Sequence, residues 1–160
     1  MRVKSRNILR KTDEKALIND IIEAFGDAST FANKKLEYVM TDKWDLILVN
    51  GEPLLFKFNG KIFPTVRGAL KLNPVQRRVM VDPGAVRFII NGADVMGRGI
   101  VEADPSIKEG DLVIVVEQTH GKALSIGKAL VPGKDMAGRT GKAVKSIHYV
   151  GDELWKFEQK

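Results

Sequence analysis

The sequence predicts an α+β fold, with a helix-led N-terminal half followed by a mostly β, barrel-like second half. Three observations predict it. Leu17, Ile18, Ile21, Ile22 and Phe25 recur at helical spacing. Asn50-Gly51 and Asn59-Gly60 each sit between short apolar runs, the signature of a tight hairpin whose two central residues need positive φ. From Arg78 onward, short β-prone runs alternate with turns rich in glycine and proline. A chain of 160 residues can form one large domain or two small ones. Asn73-Pro74 offers a break, because the residue before proline is driven from helical geometry, so the expected domains are 1–75 and 76–160.

Taken in order, Thr12-Asp13-Glu14 resembles a helix start, with a capping hydroxyl and acids at the positive end of the dipole. The helix is expected over Asp13–Phe25, with Gly26 as its left-handed stop. Leu36–Met40, Leu46–Val49, Leu54–Phe58 and Lys61–Phe63 read as strands, the last three joined into a meander by the Asn-Gly turns. Pro64-Thr65 opens a short helical turn that runs through Leu72. In the second half, strand 78–81 leads to Asp82-Pro83, a good N-cap followed by the residue best suited to the first helical position. Ala85, Val86, Ile89 and Ile90 give that helix an apolar side, and Asn91-Gly92 ends it. Strands are expected at 100–102, 112–116, 123–131, 144–150 and 154–157, with turns at Asp104-Pro105, Lys108–Asp111, His120-Gly121 and Gly151-Asp152.

Hydrophobic residues make up 44% and charged residues 29%, as in an ordinary globular protein, and no run of eighteen apolar residues predicts a membrane span. The basic N-terminus lacks the apolar core of a secretory signal, and the acids after it argue against a transit peptide, so the expected compartment is the cytoplasm. With no cysteine, disulfides, thiolate metal sites and a cysteine nucleophile are excluded. Two histidines are too few for the usual zinc centre. The net charge of +6 favours an anionic partner, nucleic acid first. Arg2, Lys4, Arg6, Arg10 and Lys11 crowd the start, either as a frayed, solvated terminus or as a phosphate-contacting arm.

Several motifs weaken on inspection. Gly133–Thr140 has a P-loop outline with Arg139 where lysine should stand, but β-prone residues follow where a helix is required. It reads as a flexible basic loop. Asp82, Asp94, Glu102 and Asp104 lack a neighbouring histidine, and capping or turn roles already explain two of them. His148 reads as a structural histidine, and Trp44 and Trp155 as packing residues. No catalytic residue, cofactor or metal is expected. Gly97-Arg98-Gly99 is too short for a dinucleotide fingerprint. It marks a place where backbone passes close to its own sheet or to a ligand. Arg98 there is either a phosphate donor or a solvated arginine.

The second half resembles the PUA domain, an RNA-binding module named for pseudouridine synthases and archaeosine transglycosylases. The residues carrying the resemblance are 81–88 (VDPGAVRF), 91–100 (NGADVMGRGI), 107–113 (IKEGDLV) and Ala129-Leu130. Ile62–Arg67, Ile147–Val150 and Asp152–Trp155 extend it to the translation factors of the MCT (malignant T-cell amplified) and ligatin type, of which this chain looks like an archaeal-type relative. The cysteines of eukaryotic relatives are absent, so their partner is not carried over. The resemblance implies an N-terminal pre-PUA α/β domain followed by a PUA pseudobarrel. It also implies an RNA surface formed by Arg87, Asn91, Gly92, Ala93, Asp94, Val95, Met96, Gly97, Arg98 and Gly99. Val95 and Met96, expected in an exposed loop, would pack on a terminal base or ribose, or plug the barrel end. The implied role is a non-enzymatic factor of initiation, re-initiation or recycling that contacts the tRNA acceptor end or small-subunit rRNA. The alternative is an accessory RNA-binding subunit of a transglycosylase or pseudouridine synthase. A protein partner through the N-terminal domain is compatible with either, and a monomer is the default expectation.

Overall fold

The computed structural model describes residues 1–25, 27–31 and 33–157. The chain divides into two compact units, Met1–Leu72 and Asn73–Lys156.

The first unit holds β1 (Val3–Ile8), α1 (Lys11–Phe25), β2 (Leu36–Thr41), β3 (Asp45–Val49), β4 (Glu52–Phe58), β5 (Lys61–Pro64) and α2 (Val66–Leu72). The five strands form one antiparallel sheet in sequence order. Both Asn-Gly pairs adopt the positive φ their spacing implies, 48° and 86° at Asn50-Gly51 and 49° and 79° at Asn59-Gly60. Leu17 and Ile21 of α1 join Phe31, Leu36, Ile47 and Leu55 in a common core. Each such side chain contributes about 1.5–3 kcal/mol when fully buried.

Three expectations for this unit change. The basic N-terminus is an edge strand, neither frayed nor a loose arm, and Arg6 is committed to Glu37, with its Nε donating to Oε2 at 2.6 Å. The helix begins two residues early, at Lys11, because the Glu14 N–H donates to the Arg10 carbonyl at 2.8 Å and draws Lys11 and Thr12 into the first turn. Ile22 of the expected stripe stays exposed, so the buried stripe is narrower than its spacing implied. The expected stop at Gly26 lies outside the described residues.

The second unit holds β6 (Arg78–Val81), α3 (Val86–Ile89), β7 (Val95–Met96), β8 (Ile100–Ala103), β9 (Leu112–Glu117), β10 (Ala123–Ala129) and β11 (Lys142–Tyr149). Short 3-10 turns at Pro83–Ala85, Gly97–Gly99 and Gly133–Asp135 join them. Asp82 caps the first turn as expected, accepting from the Ala85 N–H at 3.0 Å.

The six-stranded sheet in this unit runs β7-β11-β10-β9-β6-β8. β7 and β8 are therefore opposite edges, yet only Gly97–Gly99 separates them in the chain. Laid flat, six strands would hold their edges about 24 Å apart, at ~4.8 Å per spacing. Four Cα–Cα steps cannot reach beyond about 14 Å. The sheet must curl until its edges nearly meet, and Val79, Val81, Val113, Val115 and Val144 fill its interior.

Two expectations change here. Residues 154–157 form no strand. Asp152 folds them back, accepting the N–H groups of Tyr149 at 3.0 Å and Trp155 at 2.9 Å and the Nδ1–H of buried His148 at 2.9 Å. The 133–142 stretch is anchored: Met136 is fully buried, and a Cβ on Gly133 would stand 2.0 Å from the Asp104 carbonyl oxygen.

In the first unit, Thr65 carries a cap that no exposed residue could replace. Its Oγ1 donates to the Pro53 carbonyl at 2.7 Å and accepts the Gly68 N–H at 3.1 Å, all of it buried. Thr65→Val should therefore lower unfolding stability by about 1–3 kcal/mol. Urea denaturation checks this, and an unchanged midpoint would show the cap to be immaterial.

Candidate nucleic-acid interface

The ten residues expected to face RNA fall on one continuous segment, but they do different work. α3 ends on a turn in which the Gly92 N–H donates to the Ile89 carbonyl and the Ala93 N–H to the Phe88 carbonyl, each at 3.0 Å. Asn91 closes it from outside, its Nδ2 donating to the Arg87 carbonyl at 2.6 Å. Gly92 sits at φ 91° against the Tyr149 ring, where a Cβ would come within 3.0 Å of ring carbons. The Arg87 guanidinium lies over the exposed Phe88 ring, 4.8 Å from its centroid. Such a pair forms a flat, partly cationic platform.

Beyond the turn, side chains alternate as strand geometry requires. Val95 is 2% exposed and part of the barrel core, whereas Met96 is 47% exposed. The expectation of a loop exposing both residues is corrected: β7 pairs with β11 and turns Val95 inward opposite Val144. Of the two roles left open for Val95, packing the barrel is the one observed.

Asp94 is only partly exposed and is engaged within the fold. Its carboxylate accepts the Ser146 N–H at 2.8 Å and pairs with Lys142 Nζ at 3.0 Å. The Ser146 hydrogen bond, aided by Lys142, holds its carboxyl below the usual carboxylate range against the opposing effect of burial. Asp82 caps its turn and Asp104 accepts the N–H groups of Arg77 and Ser106, so these carboxylates serve separate backbone roles. Among the described residues, no three histidine or acidic side chains are placed to share a metal ion.

Gly97-Arg98-Gly99 is the turn that joins the two sheet edges. Gly97 is buried, its N–H donating to the Gly141 carbonyl at 2.9 Å and its carbonyl accepting the Gly138 N–H at 2.9 Å. A Cβ there would stand 2.5 Å from both the Cβ and the carbonyl oxygen of Arg139. The close backbone approach expected at this glycine is thus made by the protein's own 138–141 loop. Gly99 accepts the Asp82 N–H at 2.9 Å and lies against Ala85. Arg98, between them, is exposed, and no carboxylate among the described residues pairs with it or with Arg87.

Sequence reasoning missed Phe88, Tyr149, Arg139 and Lys142 as neighbours of this segment. The basic character of 133–142 was visible, but its contact with Gly97 crosses some forty residues and leaves no local mark.

Residues 1–72 match the Pre-PUA-like domain and residues 77–150 the PUA domain. The chain is 43% identical to an uncharacterized protein of Methanocaldococcus jannaschii, over 99% of each chain. Translation machinery-associated protein 20 of Schizosaccharomyces pombe is 33% identical over 72% of this chain and 67% of its own. The chain belongs to the pre-PUA–PUA family. Its relatives include proteins named malignant T-cell-amplified sequence 1, as the resemblance implied. The crystal structure of a hypothetical protein from Pyrococcus horikoshii OT3 superposes with a TM-score of 0.84 at 41% identity, covering 95% of this chain and 98% of that one. The fold is thus a pre-PUA domain followed by a PUA domain, an RNA-binding module, in a family related to translation-associated proteins. No helix among the described residues is long and apolar enough to cross a membrane.

Two outcomes follow for the PUA unit. Gly97→Ala should cost several kcal/mol, since backbone rather than a flexible side-chain tip opposes the new methyl group. A thermal melt within a degree or two of wild type would contradict the contact. Asp94 has a lowered native pKa, so its stabilisation is present above its ordinary value of 3.8 and is lost as pH falls through the lowered one. Asp94→Asn should therefore flatten the acid limb of a melting-temperature profile below about pH 4. Parallel limbs would deny Asp94 that role.

Proposed function

We propose that this protein is a non-catalytic, cytoplasmic RNA-binding factor of translation. Its PUA unit grips the tRNA acceptor end or small-subunit rRNA during initiation, re-initiation or recycling. The site is the segment Arg87 and Asn91–Gly99. Within it Arg87, Asn91, Met96 and Arg98 face the ligand, while Gly92, Asp94, Val95, Gly97 and Gly99 hold their positions.

The observation that carries this reading is the pair of exposed guanidinium groups at Arg87 and Arg98, neither paired with a carboxylate among the described residues, on the two stretches that meet at the Ala85–Gly99 contact. Arginines without carboxylate partners, presented on backbone that is already hydrogen-bonded, lose little freedom when they meet phosphate. The Arg87–Phe88 platform and exposed Met96 add surfaces on which an unstacked base can lie. Relatives named as translation machinery-associated proteins support the assignment to translation.

Binding to unfractionated tRNA should weaken steeply as salt rises. Arg87→Gln together with Arg98→Gln should lower affinity by about tenfold and reduce the salt slope by roughly 1–2, with the melting temperature unchanged. Filter binding across a salt series measures this. Equal affinity in wild type and the double variant would remove the proposed surface.

A further inference from the structure

We infer that the RNA surface has a second wall, the 138–141 loop, and that Arg139 is its phosphate-binding residue. This inference rests on the proposed RNA-binding role and extends that site beyond the segment assigned above.

Gly97 is the point of contact between the turn and the loop. Its N–H and carbonyl are both bonded to the 138–141 loop, and the nearest atoms to a Cβ placed there belong to Arg139: Cβ and carbonyl oxygen at 2.5 Å and N at 2.8 Å. Arg139 is therefore one residue-contact from the position next to Arg98. On the other side, Gly99 touches Ala85, two residues before Arg87. Arg98 thus lies in the turn, the backbone and Cβ of Arg139 pack against it at Gly97, and Arg87 follows on the stretch whose Ala85 meets Gly99. None of the three arginines has a carboxylate partner among the described residues, and all three are exposed.

Two of the nearby acids are already engaged. Asp94 is neutralised by Lys142 and the Ser146 N–H, and Asp82 is turned to its cap. Lys142, so paired, stands opposite exposed Met96 in the β7–β11 register.

The loop is also bare. A Cβ at Gly138 (φ 75°) or Gly141 (φ 95°) would meet nothing within 4 Å, so the backbone on both sides of Arg139 is open. Glycines that no packing demands, flanking an unpaired arginine, let a sugar–phosphate chain come close to main-chain groups. Exposed arginines on adjoining stretches of backbone, Arg98 and Arg139, suit successive phosphates of a single strand, which spaces its charges along a flexible path. An acidic protein segment is a different occupant, and the base-sized platform at Arg87–Phe88 favours RNA over it.

The test uses the full chain and a fluorescent single-stranded RNA of twelve nucleotides ending in CCA, titrated at several salt concentrations. Arg139→Gln keeps the Cβ that touches Gly97, and a melting curve confirms that the fold is kept. It should weaken binding about fourfold near 0.15 M salt and reduce the magnitude of the salt slope by roughly 0.7, the value of one released counterion on a single strand. Arg139→Lys should recover most of the loss. Unchanged affinity and slope in Arg139→Gln, with Arg98→Gln impaired, would overturn the second wall and leave the proposed function standing. Wild type that fails to bind would overturn both. A defect seen with polyaspartate but not with RNA would also overturn the inference, in favour of an acidic protein partner.

Discussion

The close approach of two backbones at Gly97 is the constraint on which the PUA unit depends. A three-residue turn joins the opposite edges of a six-stranded sheet, so those edges can be no farther apart than the turn can reach. The turn packs on the 138–141 loop so tightly that no side chain fits between them. That contact holds the two edges together, while the pairing of β7 with β11 sets Val95 inward and Met96 outward. The short β7 edge and the turn that leads from it leave little unpaired edge backbone for another chain to join.

The same contact makes the surface useful. Gly97 engages both its N–H and its carbonyl with the loop, and Gly99 accepts from Asp82, so the backbone on either side of Arg98 is fixed before any ligand arrives. A guanidinium group on rigid backbone retains only side-chain freedom to lose on binding. Residues that never touch a ligand are thereby tied to those that can. Asp94 illustrates the division: its oxygens hold β11 through Ser146 and position Lys142, and in doing so its charge is masked from an approaching phosphate.

What could be read from the sequence was local physics. The Asn-Gly turns and the Asp82-Pro83 cap lie where expected, because positive φ and capping are properties of two or three adjacent residues. Features set by distant partners were not legible. Residues 3–8 read as a charged terminus because an edge strand buries little on its outer side, and only pairing with β2 defines it. Residues 154–157 carry strand-like residues, yet Asp152 gathers three donors and turns them back. Val95 and Met96 looked equivalent until β11 gave their segment a register. The glycines between 91 and 99 suggested an open bend, whereas Gly92 and Gly97 are filled by Tyr149 and by the Arg139 backbone.

Net charge shows how far composition alone can be taken. A charge of +6 pointed to an anionic partner, and the densest run of cations lay in the first eleven residues. Yet Arg6 there is bound to Glu37, whose carboxyl is held below the usual carboxylate range, chiefly by that arginine. Elsewhere in the same unit Lys71 is bound to Glu52. These cations are occupied within their own fold. Arg87, Arg98 and Arg139 are dispersed in sequence and contribute no visible cluster, but the turn at Gly97 brings their stretches of chain together, and no acid among the described residues pairs with them. What matters for a polyanion is the charge left unanswered after folding, and that quantity is set by tertiary contacts rather than by the count of basic residues.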